Sequence, residues 1–226
     1  MSFEPLRITR KTAETEITVA LRPRTGSGET LAIPNRILSH FIDHFGRGSG
    51  VEIELIDDRW PGSWRFDHVL CEDLGQLIGR GIAALHDRRA AEEGVRGRAS
   101  VVCCMDDAES EIVLTFEGRP SARWEIPQGS DIDGFVDAWY DESGRMEGRA
   151  MGTNLRQFLD GFAFGAGATL SISVRRTGNL HHLYETVFRA LGDAIGEALG
   201  VGRERLPGDT SGIAGASEYA VRGEER

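Results

Sequence analysis

Residues Glu14 to Leu21 alternate small or polar side chains with Ile17, Val19 and Leu21, the two-residue period of a half-buried strand. From Asn35 to Phe45 the apolar positions Ile37, Leu38, Phe41, Ile42 and Phe45 fall at helical spacing. Val51, Ile53 and Leu55 then return to the strand period. The stretch from Asp58 to Ser63 reads Asp-Arg-Trp-Pro-Gly-Ser and predicts a loop. Val69 to Leu85 resumes helical periodicity despite internal glycines.

The same order recurs further along. Strands are predicted around Ser100 to Cys104 and Glu111 to Phe116, a helix near Leu155 to Phe164, a strand at Ala168 to Val174, and a helix from about Leu180 to Leu199. A duplicated strand-and-helix unit explains this most economically, with a first half at 1–95, a second at 96–200 and a tail at 201–226. The expected join is Arg88 to Arg98, a charged stretch containing glycine. Beyond Gly200 the chain is rich in Gly, Glu and Arg, and is expected to be partly mobile or ordered only by a partner.

Composition narrows the classes. A chain of 226 residues with 40% hydrophobic and 27% charged side chains is suited to a folded globular protein rather than a disordered one. A formal charge of -10 argues against a nucleic-acid partner held by phosphate neutralisation, while leaving room for a small anionic substrate. Cys71, Cys103 and Cys104 lack a repeated metal-type spacing, and reduced thiols are the expectation. No apolar run reaches the roughly 18 residues of a membrane span, so neither a membrane partner nor a signal peptide is expected, and the cytoplasm is the expected compartment.

The chemistry concentrates in two echoes. His68-Val-Leu-Cys-Glu72 in the first half is matched by His181-His182-Leu-Tyr-Glu185 in the second, each placing a histidine and a glutamate four residues apart on one helix face. Imidazole nitrogen and carboxylate oxygen together suit zinc, manganese or iron. His182 lies about 100° around the helix from His181 and should address a different centre or another subunit. His40 adds a further possible ligand. His44 and His86 read mainly as surface residues at this level. A lone His-x3-Glu pair is more often a solvated helix neighbour, but its repetition favours a divalent-metal site.

Taken with their flanks, these residues resemble the imidazoleglycerol-phosphate dehydratase family. The resemblance is carried by Arg10-Lys-Thr-Ala-Glu-Thr15, Ser39-His-Phe-Ile-Asp43, Asp67-His-Val-Leu-Cys-Glu-Asp73, Met105-Asp-Asp-Ala108, Gly118-Arg-Pro120 and Asn179-Leu-His-His-Leu-Tyr-Glu185 followed by Phe188-Arg-Ala190. It covers roughly residues 7 to 200. It implies a duplicated α/β fold of the α+β two-layer kind, a large homo-oligomer, and an active site built from more than one subunit around manganese. The implied reaction removes water from a small-molecule glycerol-phosphate side chain. Metal ligands would be His40, His68, Glu72, His181, His182 and Glu185. Glu14 would transfer a proton. Arg119 would hold phosphate through its guanidinium fork, and Arg189 stands where the family has a lysine.

This sequence also departs from the family pattern. Val69 and Ser171 stand where the family has two metal-binding histidines, His44 where it has a glutamine, and Gly48-Ser49-Gly50 replaces a His-Gly. Pro207-Gly-Asp-Thr-Ser-Gly212 lacks the lysine of a phosphate-binding segment. The arginine expected before Met105 falls in register with Gly97, between Arg96 and Arg98, so that Arg98 and His44 join Arg119 and Arg189 as substrate-binding candidates. If the halves are pseudo-symmetric, His40, His68, Glu72 and His182 form one centre, and Ser171, His181, Glu185 and Val69 the other. One firm metal and one weak or empty site are then expected. The function implied is a metal-dependent carbon–oxygen hydro-lyase with one degraded centre and an altered substrate. The alternatives are a genuine imidazoleglycerol-phosphate dehydratase of histidine biosynthesis and a non-catalytic binding or assembly protein.

Overall fold

The computed structural model describes residues 2–26, 33, 35–62, 65–140, 143–202 and 205–209. Its elements follow the order β1 (Leu6–Lys11), β2 (Glu16–Pro23), α1 (Arg36–Ser49), β3 (Val51–Arg59) and α2 (Asp67–Glu92). After them come β4 (Arg98–Met105), β5 (Ala108–Phe116), β6 (Ser121–Glu125), β7 (Val136–Tyr140), β8 (Met146–Ala150), α3 (Gly152–Ala166), β9 (Ala168–Arg176) and α4 (Leu180–Ala198). The order β-β-α-β-α therefore occurs twice, with β6 to β8 inserted in the second pass.

Besides the two-stranded β7–β8 sheet, two larger sheets combine with helices in the same way. β2 lies between β1 and β3, antiparallel to each, and β5 lies between β4 and β9, antiparallel to each; β6 adds to β9 in parallel. Alternation puts Ile17, Val19 and Leu21 on one face of the first sheet, and Ile112, Leu114, Leu170 and Ile172 on one face of the second, all at 0% exposure. Helices cover those faces: α1 and α2 pack on the first sheet, α3 and α4 on the second, and the helix pairs α1/α4 and α2/α3 join the two. The fold is thus α+β, each sheet carrying its own helix layer.

The helix pairs meet backbone to backbone, which explains the internal glycines. A Cβ on Gly75 would lie 2.1 Å from the Phe158 carbonyl oxygen across the α2/α3 contact, and one on Gly192 would lie 2.4 Å from the Phe45 carbonyl oxygen across α1/α4. Any side chain there would push the axes apart. Aromatic residues fill the spaces on either side of these seams, with Phe41 stacked on Phe188 at 5.4 Å between ring centroids. The Tyr184 hydroxyl donates to the carbonyls of Ile132 and Gly152, both at 3.1 Å, and burial pushes its pKa up.

Several expectations from the sequence need correcting. β1, β6, β7 and β8 had no counterpart in the periodicity reading. The expected join at Arg88 to Arg98 is helical through Glu92, so only residues 93–97 connect α2 to β4. α1 runs to Ser49, a turn beyond Phe45, because Gly50 at φ 70° supplies the left-handed cap and its N–H donates to the Gly46 carbonyl. His86 is not at the surface: it is 6% exposed and stacks on Phe116 at 4.4 Å, beneath the end of β5. Part of the tail is tied down, since Val201 bridges to Val95 and the Gly208 N–H donates to the Ala90 carbonyl at 2.9 Å. Ser63, residues 203–204 and Thr210 onward lie outside the described residues. Cys71, Cys103 and Cys104 are all free thiols, Cys71 wholly buried. No described helix is long and apolar enough to cross a membrane.

Candidate metal centre

Two helices present the centre. Asn35 caps α1, its side-chain oxygen accepting from the Leu38 N–H at 3.0 Å, and so starts the register that places His40 and His44 one turn apart. Asn179 caps α4 by accepting from the His181 N–H at 2.8 Å, and its own N–H donates to Asp107 on the β4–β5 turn at 2.9 Å. The glycine contacts of α1 with α4 then bring the two histidine-bearing faces together.

The buried carboxylate of Glu185 is the focus. His40 Nε2 lies 3.4 Å and His181 Nε2 3.5 Å from Glu185 Oε2, while His44 Nε2 lies 3.2 Å from Oε1. Donor atoms from His40, His44 and Glu185 all fall within 4.8 Å of one another. Arg189, one turn further along α4, pairs with Glu185 and directs its Nε–H at His44 Nδ1, 3.3 Å away. Burial pushes the His44 imidazole down to about 4 against the pull of Glu185, so it is neutral near pH 7. Burial also resists ionisation of Glu185, but the surrounding imidazoles and Arg189 outweigh it and hold the carboxyl below its usual range.

His181 carries the clearest sign of fitness for a cation. Its Nδ1 meets Asp137 Oδ2 on β7 at 2.6 Å, so the proton of a neutral ring sits at Nδ1 and the Nε2 lone pair faces the Glu185 carboxylate. Two lone pairs opposed at 3.5 Å call for a positive charge between them, and a carboxylate holding the far nitrogen is the usual support of a metal-bound histidine. The donor set, imidazole with one carboxylate, suits a divalent first-row ion.

The other candidates are placed apart from this cluster within one chain. His182 turns to the β4–β5 turn, Nδ1 3.0 Å from Asp107 and Nε2 3.7 Å from Asp106, and the Asp107 hydrogen bond raises its pKa. His68 is exposed at the start of α2 with its ring 5.6 Å from Phe66, and Glu72 is exposed and accepts from Gln76 at 3.0 Å. Glu14 is exposed in the β1–β2 turn, whose Thr15 donates to Asp73 beside Glu72. His68, Glu72 and Glu14 thus gather around the first half of α2. Arg98 on β4 and Arg119 between β5 and β6 are exposed, the latter's carbonyl accepting from Thr169, and Arg96 reaches Glu197 at 4.0 Å.

The grouping expected from pseudo-symmetry does not hold inside the chain. His40 joins Glu185 and His181 rather than His68, Glu72 and His182. Ser171 lies on the face of β9 opposite Leu170 and Ile172, turned from the helices, and is no part of the cluster. Sequence reasoning missed His44 as a member, although its four-residue spacing from His40 was the same signal used for His68 and Glu72. It also missed Asp137, for which no local signal exists.

Comparison with known proteins gives a consistent family. A family model described as imidazoleglycerol-phosphate dehydratase matches residues 34–195. The imidazoleglycerol-phosphate dehydratase of Teredinibacter turnerae is 31% identical over 198 residues, spanning 86% of this chain and 89% of that protein. The protein of that name from Deinococcus radiodurans is 31% identical over 202 residues, spanning 88% and 94%. In structure the chain is similar to the Pyrococcus furiosus IGPD solved in complex with (S)-C348, at a TM-score of 0.64, 23% identity and coverage of 87% and 95%. The Staphylococcus aureus enzyme gives the same TM-score at 20% identity, covering 88% and 100%. At these identities the structural likeness speaks for the fold.

Proposed function

The chain belongs to the imidazoleglycerol-phosphate dehydratase family, and from that membership we propose that it is a divalent-metal-dependent hydro-lyase that removes water from imidazoleglycerol phosphate in the cytoplasm. The observation that carries this reading is the convergence of His40 and His181 on Glu185, with Asp137 fixing the His181 tautomer. These residues would hold the ion, with manganese the expected occupant. When bound it supplies Lewis acidity and a template for the imidazole of the substrate.

The remaining roles fall to the protein's own side chains. Glu14, exposed in the β1–β2 turn, is the candidate to carry a proton at the carbon that loses it. The guanidinium groups of Arg119 and Arg98 suit the phosphate. Glu14, His68 and Glu72 gather at one end of α2, and in this reading they meet the His40 cluster of a neighbouring copy in a homo-oligomer. The relatives bear the family activity in their names, and the reading with an altered substrate has less support than the family reaction.

Purified full-length protein loaded with Mn²⁺ and given imidazoleglycerol phosphate should yield a product lighter by one water, read by mass spectrometry. It should also restore growth of a histidine auxotroph lacking the dehydratase. Soluble, metal-loaded protein that does neither would remove this reading.

A further inference from the structure

His44 stands out among the residues of the cluster because nothing in the proposed reaction uses it. It is half-buried, 15% exposed in its side chain, and its Nε2 faces Glu185 Oε1 at 3.2 Å while its ring meets His40 edge-on at 4.7 Å. Around an ion with bond lengths of about 2.0–2.2 Å, neighbouring donor atoms stand about 3.0–3.5 Å apart in tetrahedral or octahedral arrangements. The three imidazole-to-carboxylate separations, 3.2, 3.4 and 3.5 Å, fall in that interval. Three rings on two helices therefore present Nε2 to the two oxygens of one carboxylate.

Arg189 engages the same partners. Its guanidinium pairs with Glu185 and its Nε–H points at His44 Nδ1, so that the Nε2 proton of His44 is the one donated to Glu185. Coordination through Nε2 requires the opposite tautomer. The proton moves to Nδ1, and no net proton is gained or lost, but an N–H at Nδ1 can no longer accept from Arg189. The cation and the guanidinium are thus alternatives on chemical grounds as well as by like-charge repulsion.

We infer that His44 is a direct donor, beside His40 and Glu185, to the divalent cation, and that Arg189 is the competitor that occupies Glu185 and His44 until the cation displaces it. The inference deepens the metal-dependent reading above and rests on it. The mutually close donors are then His40, His44 and Glu185, all within 4.8 Å of one another, where the sequence assigned this centre His181 and Glu185. Displacement leaves the Arg189 guanidinium, 37% exposed, able to turn to an anion beside the metal.

Mn²⁺ titration of the full-length protein, followed by loss of the free-ion electron paramagnetic resonance signal, separates the possibilities. His44→Gln keeps the side-chain volume and should weaken Mn²⁺ binding at least tenfold, with the metal-free melting temperature unchanged. Arg189→Gln should move the other way and tighten Mn²⁺ several-fold, a result that does not depend on His44→Gln folding. Glu185→Gln marks the centre itself. If Glu185→Gln abolishes binding while His44→Gln binds as the parent does, or if Arg189→Gln weakens binding, His44 and Arg189 do not have these roles and the metal centre stands without them. If Glu185→Gln leaves binding untouched, the metal-dependent reading falls as well.

Discussion

Gly192→Ala tests whether the close approach of α1 and α4 builds the centre. The added Cβ would lie 2.4 Å from the Phe45 carbonyl oxygen and 3.0 Å from its Cα, both backbone atoms that cannot rotate away. Ordinary contact begins at 3.4 Å, so the helices must part by about 1 Å at this crossing. Overpacking of this kind costs about 1–3 kcal/mol. Alanine returns about 1 kcal/mol through its better helix propensity. The net loss, about 0–2 kcal/mol, lowers the melting temperature of a chain this size by up to about 8 °C. The same movement carries His40 and His44 away from His181 and Glu185, beyond the reach of one ion with bonds of about 2.0–2.2 Å. Mn²⁺ affinity should drop at least about tenfold, or 1.4 kcal/mol. Differential scanning calorimetry and Mn²⁺ titration read the two effects, with Gly26→Ala as the control because a Cβ there meets nothing within 4 Å. A Gly192→Ala protein that melts and binds as the parent does would show that the helix approach does not set the donor geometry.

Asp137→Asn replaces an accept-only carboxylate by an amide that can turn its NH2 to His181 Nδ1, so the proton is no longer held there, and loss of such a support typically weakens a metal site by about 10–100-fold. Mn²⁺ titration should show this loss with little change in metal-free stability, and ¹⁵N spectra of the His181 ring should report a mixed tautomer. Asp73→Asn strikes the fold elsewhere. Asp73 is 3% exposed, pairs with Arg10 at 2.5 Å and accepts from Thr15, so the β1–β2 turn would lose its anchor on α2. Breaking a buried pair costs about 3–5 kcal/mol, and the partial exposure of Arg10 reduces this to about 2–3 kcal/mol, read from the urea midpoint.

How much of this was legible depends on the range over which each signal acts. α1 and α4 were readable because their apolar period and their caps, Asn35 and Asn179, lie within a few residues of one another. β2, β5 and β9 were readable because one face of each is wholly buried. β1 carries only Leu6 and Ile8 on a face that is nowhere fully buried, and β6 alternates over only five residues, with Ala122 and Trp124 its two half-buried apolar positions. β7 and β8 invert the usual rule: Val136, Tyr140 and Met146 face outward at 63%, 72% and 64% exposure, while Asp137 and Arg149 face the protein. At the site, the four-residue spacings gave the faces but not their partners. His40 and Glu185 are 145 residues apart, and which faces meet is decided by backbone contacts at glycines, for which periodicity has no signal.

The β7–β8 ribbon connects the two motif helices in a way neither motif reveals. On its inward face Asp137 holds His181 near the start of α4, and Arg149 pairs at 2.5 Å with Asp67, the first residue of α2, while also lying 5.9 Å from the Trp139 ring. His68 follows Asp67 directly. The same two-stranded ribbon therefore fixes the starts of both helices on which the repeated His-x3-Glu pairs sit. Strands 136–140 and 146–150 pair residue for residue, with Asp137 opposite Arg149, so the contacts to His181 and to Asp67 leave neighbouring positions of one ribbon, although no His or Glu of the first motif touches the cluster within the chain.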